Sequence, residues 1–298
     1  MKRFLPRGLV VALVASTWPL LSASLAGASM PTCIVSLSPT ATDTLFTIGA
    51  GAQVKAVDQD STVPLAAARL ARKDKINALN PSAEAIAALC PSPASELVVI
   101  SYNANDIAKQ LSTLGVTVLE QDAPSSLSAA YAQIRQLGLV SGHAVKANAL
   151  AVALQARILG YAQRMPRHSG KVVSVYYEIS AAPYYSLTSS TFVGSFMRSL
   201  GVVNIADPEN TSADAGYPSL NPEYIVKANP NLILLAGDAT AAAVKQRRGW
   251  SSIKAVRYGH VVVLTANEAS QWGFLLGDLA QRISASVIGV INDPRVWK

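Results

Sequence analysis

Residues 34–51, IVSLSPTATDTLFTIGAG, commit the chain to a strand that feeds directly into a helix. Ile34, Val35 and Leu37 make a short apolar strand, Ser38 is placed to cap a helix, Pro39 suits its first turn, and Gly49 and Gly51 end it. A helix that starts where a strand ends presents unpaired amides at the carboxyl edge of the sheet, and open α/β sheets bind ligands at that edge. Ser38, Pro39 and Thr40 are therefore the first candidate ligand contacts, although an ordinary strand-to-helix turn would use the same residues.

The rest of the chain repeats this alternation. The runs QVKAVD, ELVVISY and VTVLEQD, and later KVVSVYY, LILLAG and HVVVLT, read as strands. Stretches between them carry helical spacing, as in NDIAKQLSTLG with Ile107, Leu111 and Leu114 apolar. The pattern predicts an α/β fold of mostly parallel sheets flanked by helices. Residues 142–165 form the longest helical stretch, roughly 35 Å at ~1.5 Å per residue, stopped by Pro166 and Gly170. A peripheral packing helix and a rigid spacer between two lobes are both open to it.

An internal repeat favours the spacer. PSAEAIAALCP and NPEYIVKANP each set a glutamate, Glu84 or Glu223, seven residues before a proline that leads into a strand. TLFTIGAG and SFMRSLGVV share an apolar helix end and a stopping glycine. The expected organisation is an N-terminal lobe over 33–141, an interlobe helix over 142–166 and a C-terminal lobe over 170–298.

The chain opens with Lys2, Arg3 and Arg7, an apolar run over 9–21, and the small residues Ala26, Gly27 and Ala28. This is the pattern of a secretory signal peptide, residues 1–28, cleaved after Ala28. Retention as an anchor is the alternative, but the run is short and interrupted by Thr17 and Pro19. The formal charge of +7 falls to +4 once the three basic residues of the signal are removed, and no basic block stands beside aromatic residues. Nucleic acid is therefore not an expected partner. Cys33 and Cys90 are the two cysteines, and export to an oxidising compartment predicts a structural disulfide at the amino edge of neighbouring strands, opposite the ligand edge. Neither lies near a histidine or in a CxxC motif, which speaks against a nucleophile or a metal ligand.

The motifs of catalysis are thin. No GxSxG elbow, GxxxxGK[ST] loop or HExxH pair occurs, and His143, His168 and His260 are scattered, so neither an enzyme, a bound metal nor a cofactor is expected. Aromatic residues cluster instead: Tyr176, Tyr177, Tyr184 and Tyr185 follow KVVSV. Strand alternation puts Tyr176 and Tyr177 on opposite faces. These rings fit either a core or the wall of a large, flat, partly polar ligand. The loops SPTATD, VDQDSTVP, SYNAND, DAPSS, GYPSLN, AGDAT and NEASQWG follow strand ends, and none contains Lys or Arg. A highly anionic ligand would need cations there, so the loops favour a neutral or positively charged one. Tyr102 and Trp272 sit in these loops as further wall residues. An enzyme using this cleft would have Glu178, Asp58, Asp60 or Asp106 to move a proton.

The opening strand-helix unit, the segment YYEISAAPYYSLTSSTFVGSFMRSLGVVNIAD, Trp272-Gly273 before the last helix, and the pair Glu84 and Glu223 resemble the periplasmic solute-binding proteins of metal-chelate and cobalamin ABC importers. The resemblance spans nearly all of residues 33–290. It implies two α/β lobes joined by one long rigid helix and moving little on binding. It further implies a monomer that captures a metal chelate or corrinoid, cobalamin or a ferric siderophore, in the interlobe cleft and delivers it to an ABC permease dimer with its ATPase. Cobalamin and neutral hydroxamate chelates match the cation-free loops better than haem, whose propionates want basic partners. The implied ligand-binding set is Ser38, Pro39, Thr40, Tyr102, Tyr177, Tyr184, Tyr185 and Trp272. Carried over residue by residue, the glutamates that dock on permease arginines fall on Glu84 and Glu223, for which solvated helix charges are the plainer role. The first copy departs from the family by the extra residues SPAS before Glu96. Many members are lipoproteins, but Met30-Pro31-Thr32 before Cys33 is not a lipobox, which implies a soluble periplasmic protein. An exported chelatase-like enzyme and a ligand sensor of similar fold are the alternatives.

Overall fold

The computed structural model describes residues 30–166 and 170–298; the expected signal segment and His168 lie outside the described residues. Strand β1 (Cys33–Leu37) passes through Ser38 into helix α1 (Pro39–Thr47). Ser38 takes an extended backbone, and its Oγ accepts a hydrogen bond from Ala41 N at 3.2 Å, which supplies one of the amides a helix start leaves unpaired. Gly49 follows the helix at φ +93°, a left-handed conformation that a Cβ would disfavour. The first half continues through β2 (Val54–Val57), α2 (Leu65–Asp74), α3 (Ala83–Ala87), β3 (Glu96–Ile100), α4 (Ile107–Thr113), β4 (Thr117–Glu120) and α5 (Leu127–Ser141). Helix α6 (Ala144–Gln163) leads to the second half: β5 (Ser174–Glu178), α7 (Phe192–Ser199), β6 (Val203–Asn204), α8 (Pro222–Ala228) and β7 (Leu232–Leu235). It ends with α9 (Ala241–Gln246), α10 (Lys254–Tyr258), β8 (Val261–Val263), α11 (Ala266–Ser270) and α12 (Leu276–Asn292).

The strands form two four-stranded parallel sheets, ordered β2-β1-β3-β4 and β6-β5-β7-β8. The two-sheet α/β class expected from the sequence is the observed one, and the sheets share one strand order. All residues of β1, β3 and β7 are buried, as parallel strands covered on both faces require. In each half the chain lays its second strand on one side of the first and its third on the other. That reversal opens a switch point between β1 and β3, and another between β5 and β7.

The predicted 142–165 helix is found as α6, and it forms a hairpin with α5 through Gly142, which holds φ +77°. Ala151, Leu154 and Ile158 on α6 belong to a single apolar core that reaches Leu45, Val99 and Ile134 in the first half and Val175, Leu234 and Ile283 in the second. Arg157 on α6 also pairs with Asp278 on α12 at 2.8 Å. A smaller cluster backs each sheet: Val35, Ile100, Ile107 and Leu111 behind the first, Tyr176, Ile225, Ile233 and Trp250 behind the second. Cys33 and Cys90 are disulfide-bonded at the amino ends of β1 and β3, within the first of these clusters. Tyr176 and Tyr177 fall in different clusters, hence on opposite faces of β5.

Candidate ligand-binding cleft

A cavity of about 350 Å³ opens at the carboxyl edge of the second sheet, at the switch point between β5 and β7. Its floor comes from Tyr177 at the end of β5, Ile179 just beyond it and Ala236 just beyond β7. Leu187 in the loop after β5, with Thr191, Phe192 and Val193 at the start of α7, forms one wall, and Tyr217 also lines the cavity. Ala269, Gln271 and Trp272 form another, and Ala123 and Pro124, after β4, are the first half's share. Among these residues none is Lys, Arg, His, Asp or Glu.

Trp272 is fixed from two sides. Its indole Nε1 donates to Gln133 Oε1 on α5 at 2.8 Å, and its backbone N donates to Thr40 Oγ1 on α1 at 3.3 Å. Gln133 is itself held, since its Nε2 donates to Asp122 O at 2.7 Å. At Gly273 a Cβ would stand 2.5 Å from Thr44 Oγ1 and 2.9 Å from Thr40 O, so the chain lies this close to α1 only with glycine. Residues 271–275 thus form a strap from the second half seated on α1. Beneath it lies Asp43, buried, its carboxyl pushed up to about 7 by burial against the opposing pull of the Leu275 and Phe274 amides and of Thr47.

Part of the cavity's polar lining is engaged within the protein. Thr191 Oγ1 caps α7, accepting from Gly194 N at 3.2 Å and donating to Thr188 O at 2.9 Å. The phenol of Tyr177, 2 % exposed, has its pKa raised by burial first and by neighbouring Tyr217 second, so it is neutral at any ordinary pH. Gln271 is 4 % exposed; its Nε2 donates to Asn267 Oδ1 at 3.1 Å, and its Oε1 has no partner among the described residues.

Of the residues expected to bind ligand, the structure brings Tyr177 and Trp272 together on the cavity. Ser38 and Thr40 stand at the carboxyl edge of the first sheet with their hydroxyls engaged, one as the α1 cap and one on the strap, and Pro39 occupies the first turn between them. Tyr102, 62 % exposed, and Tyr185, 44 % exposed, do not line it. Tyr184 faces elsewhere: it packs on Trp250 with ring centroids 5.6 Å apart and under the Arg247 guanidinium, lining a separate cavity of about 580 Å³. The loops DAPSS, GYPSLN, AGDAT and NEASQWG each contribute lining residues, whereas SPTATD, VDQDSTVP and SYNAND contribute none. Sequence reasoning singled out neither Tyr217 nor Gln271, although both lie in loops it marked.

The acids open to an enzymatic reading are placed away from this cavity. Glu178 makes a two-pronged ion pair with Arg247, at 2.8 and 2.5 Å. Asp58 is buried and accepts from Asp60 N at 2.8 Å, while Asp60 and Asp106 are exposed and do not line the cavity. His143 contacts Ser141 O at 2.8 Å and His260 contacts Asp293 at 2.9 Å. Glu84 and Glu223 are both exposed in the first turns of α3 and α8.

A family model described as periplasmic binding protein matches residues 34–268. An uncharacterised ABC transporter substrate-binding lipoprotein of Bacillus subtilis is 27% identical over 265 residues, covering 86% of this chain and 80% of the relative. A cobalamin-binding protein of Halobacterium salinarum is 27% identical over 255 residues, covering 82% of this chain and 66% of the relative. Among solved structures, the periplasmic vitamin B12-binding protein of Vibrio cholerae superposes with a TM-score of 0.72 at 20% identity, over 89% of this chain and 99% of that one. A periplasmic heme-binding protein of Roseiflexus superposes with a TM-score of 0.73 at 21% identity, over 88% of this chain and 100% of that one. At such identities the superpositions establish a shared fold.

Proposed function

We propose that this chain, which belongs to the periplasmic binding protein family, is the solute-binding component of an ABC importer and captures a metal chelate or corrinoid without converting it. The observation that carries the reading is the cavity itself: apolar, free of ionised side chains and walled by aromatic rings at the carboxyl edge of a parallel sheet. Such a wall suits a broad, mostly apolar ligand whose charge is already neutralised. Relatives named for binding cobalamin and for ABC substrate binding support it. The exposed rings of Tyr102 and Tyr185 are assigned to the rim, and Tyr177 and Trp272 to the wall.

Export to the periplasm and delivery to a permease with its ATPase belong to the same reading. A helix that precedes a parallel strand runs against it, so α3 and α8 both begin at the carboxyl edges of their sheets. Glu84 and Glu223 therefore share the end of the molecule that carries the cleft, one on each half, where they can fix the register of a basic partner covering the mouth. Among the described residues no helix is long and apolar enough to cross a membrane.

The test is mass spectrometry and ultraviolet-visible spectroscopy of protein purified from its host, followed by calorimetry with cyanocobalamin, a neutral ferric hydroxamate and haemin. One-to-one binding of an unaltered chelate or corrinoid supports the reading. Turnover of the bound molecule, or failure to bind any of the panel, refutes it.

A further inference from the structure

We infer that Asp43 is a positioning residue for the ligand wall: while its carboxyl is protonated it lets residues 271–275 seat on α1 and fix Trp272 in place, and its ionisation loosens that seat. This deepens the solute-binding reading and rests on it. Thr40, Asp43, Thr44 and Thr47 recur at helical spacing and so form one stripe of α1. The strap lies along that stripe: Trp272 N donates to Thr40 Oγ1 at 3.3 Å, a Cβ on Gly273 would stand 2.5 Å from Thr44 Oγ1, and the amides of Phe274 and Leu275 approach the Asp43 carboxyl. Asp43 is 1 % exposed beneath it. Its Oδ1 meets Thr47 Oγ1 at 3.5 Å, while Oδ2 has no hydrogen-bond partner among the described residues. An ionised carboxyl there is a charge withdrawn from water with its hydrogen bonds incomplete.

The surroundings supply no counterion. Residues 271–275 carry no ionisable side chain. From α12 the group that acts on Asp43 is Asp278, a like charge, and Arg157 on α6 is spent on Asp278 at 2.8 Å and on Gln281 at 2.7 Å. On α5, Gln133 holds the Trp272 indole, the buried Tyr131 phenol is neutral, and Arg135 turns to Asn148 at 3.0 Å. Lys146 and His143 lie against Gly49, past the far end of α1. A carboxyl released to water titrates near ~4, and under the strap Asp43 titrates at about 7. Seating therefore holds a proton that the unseated strap releases, so the seat is firmest below pH ~4 and weakens as pH rises toward 7, with a loss of about tenfold between pH 6 and 8.

Two readouts test this on wild type, Asp43→Asn and Asp43→Thr, the last repeating the stripe's own side chain in case Asp43→Asn does not fold. The first is the indole N–H resonance of Trp272, assigned by its loss in Trp272→Phe and followed from pH 5 to 9 without ligand. It should move with a midpoint near pH ~7 in wild type and stay flat in the Asp43 variants. The second is calorimetry with cyanocobalamin and a neutral ferric hydroxamate, neither of which titrates in this range. Wild-type affinity should fall about tenfold from pH 6 to pH 8, whereas Asp43→Asn should bind alike at both and no more weakly than wild type at pH 8. A wild-type affinity that changes less than about twofold, or a pH response that survives in both variants, overturns the inference. If neither probe binds, the solute-binding reading falls and the indole titration decides alone: a midpoint abolished by the Asp43 variants upholds the positioning role, and a flat wild-type titration overturns it.

Discussion

Breaking the Cys33–Cys90 bridge should destabilise the first half of the molecule selectively. The two cysteines are 57 residues apart, and they tie the start of β1 to the turn before β3, enclosing α1, β2, α2 and α3. Releasing a loop of that length restores unfolded-chain entropy worth ~4 kcal/mol in the chain-entropy account. Both side chains belong to the cluster behind the first sheet, which draws no residue from the second half, so the loss is confined to one side. At ~2–4 °C per kcal/mol for a protein of this size, the melting temperature should fall by about 8–16 °C. Differential scanning calorimetry on the oxidised protein, the same protein reduced with dithiothreitol, and Cys33→Ala/Cys90→Ala would measure this. Reduced protein and double variant should agree within a few degrees, and the endotherm should broaden or split as the halves lose a common transition. Binding of the preferred probe at low temperature should persist, because the bridge lies at the amino edge and the cavity at the carboxyl edge. A shift below about 2 °C would show that the bridge does not constrain the unfolded chain in this way.

Stability should fall as pH rises between about 5 and 8. Burial pushes Asp43 and Glu96 up to about 7 and Asp58 up to about 6, so the folded state keeps protons that an unfolded chain releases near pH ~4. The stabilisation is full below pH ~4 and is lost as pH passes through 6 to 7; urea midpoints at pH 5 should exceed those at pH 8, and a midpoint that rises with pH would contradict the assignment. Trp272→Ala should weaken ligand binding about tenfold, and Gln133→Leu should weaken it in wild type but have no further effect in Trp272→Ala; additive losses would mean that Gln133 does not act through the indole. Reversing Glu84→Lys with Glu223→Lys should abolish uptake while ligand affinity stays within about twofold, and normal import by the double variant would remove docking from both residues.

The strands were legible because parallel strands buried on both faces must be continuously apolar, and IVSLS, ELVVI and LILL have little other use. Two-residue β6 carries no such run: it pairs with β5 because the turn after α7 delivers it there, which local sequence does not encode. The tyrosines show the limit most plainly. Alternation separates Tyr176 from Tyr177 but cannot say which face meets the cleft. Tyr184 is drawn away by Trp250 and by Arg247, and Arg247 is itself anchored by Glu178, a contact 69 residues apart in the chain.

The opening unit stands at the carboxyl edge of the first sheet, and its hydroxyls are put to use within the protein. An uncapped helix start at a sheet edge attracts whatever can satisfy it; here Ser38 caps α1 and Thr40 receives the backbone of Trp272. The first half thereby supplies the seat of the wall, while the second supplies most of the wall itself. On the proposed reading, a ring held by Gln133 on one half would meet a ligand carried on the other with little rotamer freedom left to lose, since its orientation is set beforehand. The same seat ties the ligand wall to α1 and α5, and the core continuous through α6 ties both halves to one another. Ligand occupancy would then be read at the mouth by local order among the rim residues, with little rotation of one half against the other, and the exposed positions of Tyr102, Tyr185 and Tyr217 are where that order would appear.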